Sequence, residues 1–253
     1  MNCLLIDVGN THLKWGLDSG SVFSFGGKCR CQPELDDSLF IEQVGDINPE
    51  YVFISCVGSD TVKQRLTDLV RARWGIEVEL LKSPAQECGI TNAYKLPNTL
   101  GSDRWAAMVA AFEQARGAVC VVDSGTAVTL DIVNNEGIHL GGLIIPGVGL
   151  MQSCLQQGAC IDFDSGFPSL TRAKLGQSTA SCIQQGSILA VSGMVSTMLT
   201  KFNADLAGIS LVLTGGDAEL LQSQLDSHAY LEPHLVLKGL ASILRSRLAV
   251  DKS

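Results

Sequence analysis

Two short turns carry the residues best suited to chemistry. Asp7-Val8-Gly9-Asn10-Thr11 recurs near mid-chain as Asp123-Ser124-Gly125-Thr126-Ala127. In each, a carboxylate stands beside a glycine and short polar side chains. The backbone N–H groups and hydroxyls of such a turn can hold phosphate oxygens, and the carboxylate can hold a hard cation. Two facing copies would clamp a nucleoside triphosphate. Phosphoryl transfer asks for phosphates held by N–H donors, a Mg²⁺ positioned by a carboxylate, and a base that orients the accepting hydroxyl. Asp7 suits the metal role; Gly9 permits close approach of the backbone, Asn10 and Thr11 add donors, and Lys14 adds positive charge. Asp123 ends an apolar run, where an uncompensated charge is costly, so a bound cation is a natural partner. A third carboxylate, Asp103, falls in the first turn of a helix, where the helix dipole favours an ionised acid. The same residues are also ordinary turn formers and helix starters, so each motif alone leaves a plain structural role open.

The elements around these turns must position them. Each turn follows an apolar run (3–6, then 119–122) and precedes an alternating one (12–17, then 128–133), which reads as strand, turn, strand made twice. A third short strand is expected at 21–25, another at 51–57, a helix at 60–73 with Arg71 and Arg73 in its last turn, and a strand at 76–81. A polar loop at 94–99 leads into a helix that begins at Gly101-Ser102-Asp103-Arg104 and ends near Gly117. The order then restarts: strands at 118–122, 127–133 and 138–145, a helix from about 148, a long helix over 179–206, a strand at 209–213, a helix from Ala218 and an amphipathic helix at 235–248. The expected organisation is two lobes of similar order, residues 1–117 and 118–253.

Composition bounds the rest. A chain of 253 residues, 46% hydrophobic and 17% charged, has a substantial core. Its net charge of −8 argues against a nucleic-acid partner, and no run of Lys and Arg along the sequence reverses this. Nine cysteines (Cys3, Cys29, Cys31, Cys56, Cys88, Cys120, Cys154, Cys160 and Cys182) are scattered and odd in number, which reads as reduced thiols of a cytoplasmic protein. An acid by position 7 does not fit a signal peptide. The uncharged stretch 137–157 resembles a membrane span only superficially, because its glycines and Pro146 break it, and a soluble protein is expected. His12, His139, His228 and His234 have no metal-ligand spacing. Walker-type, dinucleotide-type and protein-kinase motifs are absent from the sequence.

Four motifs then stand in order: Asp7-x-Gly9-Asn10-Thr11, Gly101-x-Asp103-Arg104, Asp123-x-Gly125-Thr126-Ala127-x-Thr129, and Gly141-Gly142-x-Ile144-x-Pro146-Gly147. Together they resemble the type III pantothenate kinases, over nearly the whole chain. The resemblance implies an α/β fold of two duplicated ribonuclease H-like lobes, the actin-like ATPase fold. It implies ATP-dependent phosphorylation of pantothenate to 4′-phosphopantothenate, the first step toward coenzyme A. Residues Asp7, Val8, Gly9, Asn10, Thr11, His12, Leu13 and Lys14 would then form the first phosphate motif, with Thr126 also on ATP. Asp103 would be the general base; Tyr94, Gly101, Ser102, Asp103, Arg104 and Thr179 would contact pantothenate. Asp123 would hold a monovalent cation, K⁺ or ammonium, beside the Mg²⁺ of the nucleotide, and Thr214-Gly215-Gly216 would form the adenosine-side turn. Ser124 departs from the usual apolar or small residue at its position.

The resemblance also implies a homodimer, and the uncharged stretch 187–200 supports it: a helix apolar all round is buried in a core or against another subunit. Two competing functions remain at this stage. One is a non-enzymatic regulator resembling the Bvg accessory factors; the other is a kinase for a different small hydroxyl compound. Retention of Asp7, Asp103 and Asp123 favours the enzyme, and Tyr94 with Gly101-x-Asp103-Arg104 favours pantothenate.

Overall fold

The run Cys3-Leu4-Leu5-Ile6 continues to Val8 as strand β1 (Cys3–Val8), in which every residue is buried. A computed structural model describes residues 2–31, 35–158, 172, 174–206, 208–226 and 228–250. Strand β2 (His12–Asp18) returns antiparallel to β1, and β3 (Phe23–Arg30) pairs antiparallel with β2. Helix α1 (Asp37–Val44) leads to β4 (Tyr51–Cys56), parallel to β1; α2 (Asp60–Trp74) leads to β5 (Val78–Leu80), parallel to β4. The sheet order is β3-β2-β1-β4-β5. Helix α2 shows how local sequence sets these elements. Ser59 caps its first turn by accepting from Val62 N–H, Val62, Leu66 and Val70 bury one face, and Gly75 ends it in the left-handed conformation. A small ribbon of β6 (Gln86–Glu87) and β7 (Ile90–Thr91) precedes a single 3₁₀ turn at Pro97–Thr99 and helix α3 (Ser102–Ala115).

The second half builds the same sheet again. Strands β8 (Val119–Ser124), β9 (Ala127–Val133) and β10 (His139–Pro146) form the antiparallel part. After α4 (Val148–Gly158) and α5 (Thr179–Asp205), β11 (Ser210–Thr214) pairs parallel with β8. Helix α6 (Ala218–Gln224) leads to β12 (Ala229–Leu231), parallel to β11, and α7 (Leu235–Val250) follows. The order β10-β9-β8-β11-β12 repeats the first sheet strand for strand. This is the duplicated ribonuclease H-like arrangement of the actin-like class that the family resemblance implied, and the repeated turns mark its two copies.

The chain forms two compact units, Met1–Gln114 with His234–Ser253, and Ala115–Pro233. The expected halves, 1–117 and 118–253, differ from these units at residues 115–117 and over 234–253, which includes the last helix. Helix α7 lies on β1, β2 and β4 of the first unit, burying Leu237, Leu240, Ile243 and Leu244. Gly239 lets it approach α3 so closely that a Cβ there would overlap the Ala106 backbone. Strand β3 is also longer than the expected 21–25: it runs the whole length of β2 despite Gly26 and Gly27, with a register shift at Trp15/Gly16.

The uncharged stretch 137–157 divides into β10, a turn and α4, as its glycines and Pro146 required. Among the described residues one helix, α5, is long and apolar enough to cross a membrane. Ile188, Val191, Val195 and Leu199 of α5 are instead buried in the core of the second unit. Eight cysteines are free thiols; Cys160 lies outside the described residues.

Candidate active site

In the first unit, the register of the sheet gathers the chemistry. Asp7, only 9% exposed, is in register with Lys14 on one side and Ser55 on the other. Residues directly opposite in neighbouring strands project from the same face, so Lys14, Asp7 and Ser55 form one row across three strands. The turn that follows Asp7 is closed by Gly9 N–H donating to the His12 carbonyl at 3.0 Å. Asn10 and His12 are exposed, whereas Val8 and Leu13 are fully buried in the core and offer only their backbone. Cys31 clasps the turn from beneath, its thiol 3.4 Å from the Gly9 carbonyl and its N–H 3.1 Å from the Thr11 carbonyl. Burial pushes the Cys31 and Cys56 thiols up, so both stay protonated beside Asp7.

Ser55 connects this row to the second motif. It is a fully buried hydroxyl in the apolar strand β4, and its Oγ lies 3.0 Å from that of Ser102 at the start of α3. A buried hydroxyl without a partner is costly, so the pair fixes the helix start against the strand beside Asp7. Ser83 adds a second tie, donating to the Leu100 carbonyl at 2.9 Å. Asp103 follows Ser102, half-buried in the first turn of α3, and its Oδ1 accepts from Arg104 N–H at 2.7 Å. Its carboxylate curls over Gly101 so closely that a Cβ at 101 would sit 2.5 Å from Oδ1. Arg104 is 7% exposed, and its Nη1 donates to the Tyr94 hydroxyl at 2.9 Å. Tyr94 is held in turn by Asn92, whose Oδ1 accepts from Tyr94 N–H and whose Nδ2 donates to the carbonyls of Pro84 and Pro97. The structure therefore brings Tyr94, Gly101, Ser102, Asp103 and Arg104 together beside the Asp7 turn, and the hydroxyl of Ser102 is engaged inside the protein.

In the second unit the equivalent carboxylate has different neighbours. Asp123 is in register with Thr129 on β9 and with Thr214 on β11, so hydroxyls flank it where Lys14 and Ser55 flank Asp7. Gly215, with φ +96°, presses its backbone on Asp123 and Ser124 and leaves no room for a Cβ. The Ser124 carbonyl accepts from Asp217 N–H at 2.9 Å, and the Thr126 carbonyl accepts from Gly147 N–H at 2.9 Å. Three of the expected motifs thus meet at one turn, with Thr126 exposed at its tip. Ser124 is buried, and its hydroxyl has no hydrogen-bond partner among the described residues. Thr179 is the exposed first residue of α5; the cap itself is Ser178, in a reciprocal capping box with Ser181.

Cation chemistry can be tested on these donors. Among the described residues no group of three or more His, Cys, Asp or Glu side chains could close around a metal. Single carboxylates with hydroxyls and carbonyls suit hard cations that complete their shells with phosphate or water oxygens, as Mg²⁺ does. The residues fit Mg²⁺ near Asp7 and a monovalent cation near Asp123. Sequence reasoning missed Ser55 and Asn92, which carry no motif, and Asp217. Burial alone pushes the Asp217 carboxyl above its ordinary value.

Residues 3–201 match the family model for type III pantothenate kinase. The type III pantothenate kinase of Nitrosococcus oceani is 34% identical, covering 98% of this chain and 96% of its own. That of Nitrosospira multiformis is 35% identical, covering 97% and 92%. Among solved structures, a Campylobacter jejuni protein assigned to the Baf family of transcriptional activators superposes with a TM-score of 0.61 at 22% identity, covering 97% of this chain and 99% of its own. The activator of 2-hydroxyisocaproyl-CoA dehydratase from Clostridium difficile, with bound ADPNP, gives 0.53 at 10% identity, covering 100% and 98%. At those identities both show the shared fold. The sequence matches go further, and the chain belongs to the type III pantothenate kinase family.

Proposed function

We propose that this chain phosphorylates pantothenate with ATP at a site assembled from the Asp7 turn and the start of α3, with Asp103 as the base. The observation that carries the assignment is the Ser55–Ser102 contact at 3.0 Å, which links the row containing Asp7 to the helix turn containing Asp103. The N–H groups and side chains of Gly9, Asn10, Thr11 and Lys14 hold phosphate oxygens, and the family resemblance assigns Thr126 to ATP as well. Asp103 accepts the proton of the primary hydroxyl and aims its oxygen at the γ-phosphorus. Arg104, fixed by Tyr94, presents a held positive charge beside that hydroxyl. The family resemblance also assigns Gly101, Thr179 and Ser102, the last through its backbone, to pantothenate.

Asp7 would hold Mg²⁺, directly or through water. Asp123, between Thr129 and Thr214, would hold K⁺ or ammonium. When bound, the cations offset phosphate charge. The free thiols favour a cytoplasmic enzyme. A homodimer is favoured by α5, whose exposed side carries Gly186, Leu189, Ala190 and Gly193, and a Cβ at either glycine would meet nothing within 4 Å.

The test is an ADP-release assay with pantothenate, with and without K⁺ or ammonium. Asp103→Asn is expected to lose at least a hundredfold in kcat, within the range for removing a general base (about 10²–10⁴), while ATP binding persists. A fully active Asp103→Asn enzyme would place the base elsewhere, and loss of ATP binding would assign Asp103 to the nucleotide.

A further inference from the structure

Strands β2 and β3 set four basic side chains on one face of their ribbon. Lys14 lies directly opposite Lys28, and His12 directly opposite Arg30. Leu13, Trp15 and Cys29, which alternate with them, are buried in the hydrophobic core, so the basic set projects from the other face. His12, Lys28 and Arg30 are exposed and Lys14 partly so. Like charges directly opposite one another destabilise a strand pair. The chain has 26 acidic residues against 18 Lys and Arg, so carboxylates are available to relieve them. Asp7 stands beside Lys14, but among the described residues Lys14, Lys28 and Arg30 make no ion pair, whereas Arg65, Arg71, Arg73, Arg245 and Arg247 of the same unit all do. The strip also has a direction. Lys28 stands opposite Lys14 and Lys14 opposite Asp7, so it runs outward from the phosphate turn in steps of about 4.8 Å, the spacing of neighbouring strands.

We propose that Lys28 and Arg30 are nucleotide-binding residues, which with Lys14 form a cationic strip that takes the polyphosphate of the ATP held at the Asp7–Lys14 turn. The inference rests on reading that turn as a phosphate motif. A linear polyanion answers a row of like charges as no single carboxylate can: lysines act as point charges and the arginine fork as a bidentate donor. The repulsion between the strands is relieved when the ligand arrives, so the strip binds only multiply charged anions strongly.

The test compares wild type with a Lys28→Ala/Arg30→Ala double variant by calorimetric titration of ATP, inorganic triphosphate and adenosine. These are exposed side chains, and a Lys28→Arg/Arg30→Lys variant, which keeps both charges, serves as the control for folding. ATP and triphosphate are expected to bind about tenfold more weakly to the double variant, the loss of one or two charge-assisted contacts, with adenosine unchanged. The salt dependence of ATP binding becomes shallower. His12 supplies a second readout. Partial desolvation of the ring, then Lys28, Arg30 and Lys14, hold its pKa below the ordinary value although the side chain is largely exposed. By NMR, triphosphate should raise the His12 pKa in wild type, and the rise should shrink in the double variant. Unchanged ATP affinity in the double variant overturns the inference alone, as does loss confined to inorganic triphosphate, which marks a separate anion site. Wild type failing to bind ATP overturns the phosphate-turn reading as well.

Discussion

Asp7 and Asp123 begin the same turn in the same position of two equivalent sheets, yet their lateral neighbours differ. A lysine and a serine flank the first; two threonines flank the second. That difference separates a carboxylate beside an ammonium and a hydroxyl from one beside two neutral hydroxyls. Asp217 is a third case. It is half-buried at the start of α6 with no side-chain cap hydrogen bond, and burial raises its pKa. A carboxyl whose folded pKa lies above its unfolded one contributes stability at low pH, and loses it as pH rises through the folded value. At neutral pH its charge is therefore a liability. Asp217→Asn should raise the melting temperature at pH 7, and the gain should vanish as the pH falls into the carboxylate range. An unchanged or lowered Tm at pH 7 would show that the charge is compensated. The carboxylates themselves were legible in sequence because acid-glycine turns after apolar runs are rare enough to notice. Ser55 was not: one serine in Val52-Phe53-Ile54-Ser55-Cys56 has meaning only once the register sets it beside Asp7 and the packing sets it against Ser102.

Among elements, those with their own punctuation were readable. Helix α2 has its Ser59 cap and Gly75 stop, and β9 matches its expected span. Helix α1 and strand β12 went unseen: one is eight residues long and the other three, so periodicity has little room to show. Strand β3 runs past the expected 21–25 and through Gly26-Gly27 to Arg30. The structure uses these glycines for approach: the Trp15 indole lies over them, and a Cβ at Gly26 would fall within its ring. Trp15 is 5% exposed, so the ring has nowhere to retreat. Gly26→Ala should destabilise the first unit by about 1–3 kcal/mol, the usual cost of overpacking, read as a lower urea midpoint. A midpoint equal to wild type would mean that the ribbon flexes freely at the shift beside Trp15. The basic strip on the same ribbon was hidden in the sequence. Its members lie at positions 12, 14, 28 and 30, and only hairpin pairing makes them neighbours.

At the scale of the molecule, the two-lobe order was legible from the repeated turn and the repeated succession of elements. The assignment of α7 was not, because a helix's partner is set by packing between residues far apart in sequence. Two arginines record that packing. Arg245 forms a two-pronged ion pair with Asp18, whose carboxylate is fully buried, and Arg247 pairs with Glu79 and Glu87. Removing one partner of a buried pair leaves a charge in a poor solvent, a loss of about 3–5 kcal/mol. Arg245→Ala should therefore lower the thermal midpoint substantially, whereas Arg71→Ala, which breaks an exposed pair with Glu77, should barely move it. Equal effects from the two substitutions would remove α7's special place in the first unit.

The placement of α7 also fixes an order in time. A ribosome delivers Ala115–Pro233 in full before the last piece of the first unit, His234–Ser253, exists. Domains of most chains are completed from the N-terminus onward during synthesis. Here the unit begun first is finished after the unit inserted into it, and the Asp18 carboxylate waits until all of Ala115–Pro233 has been made for the arginine that neutralises it.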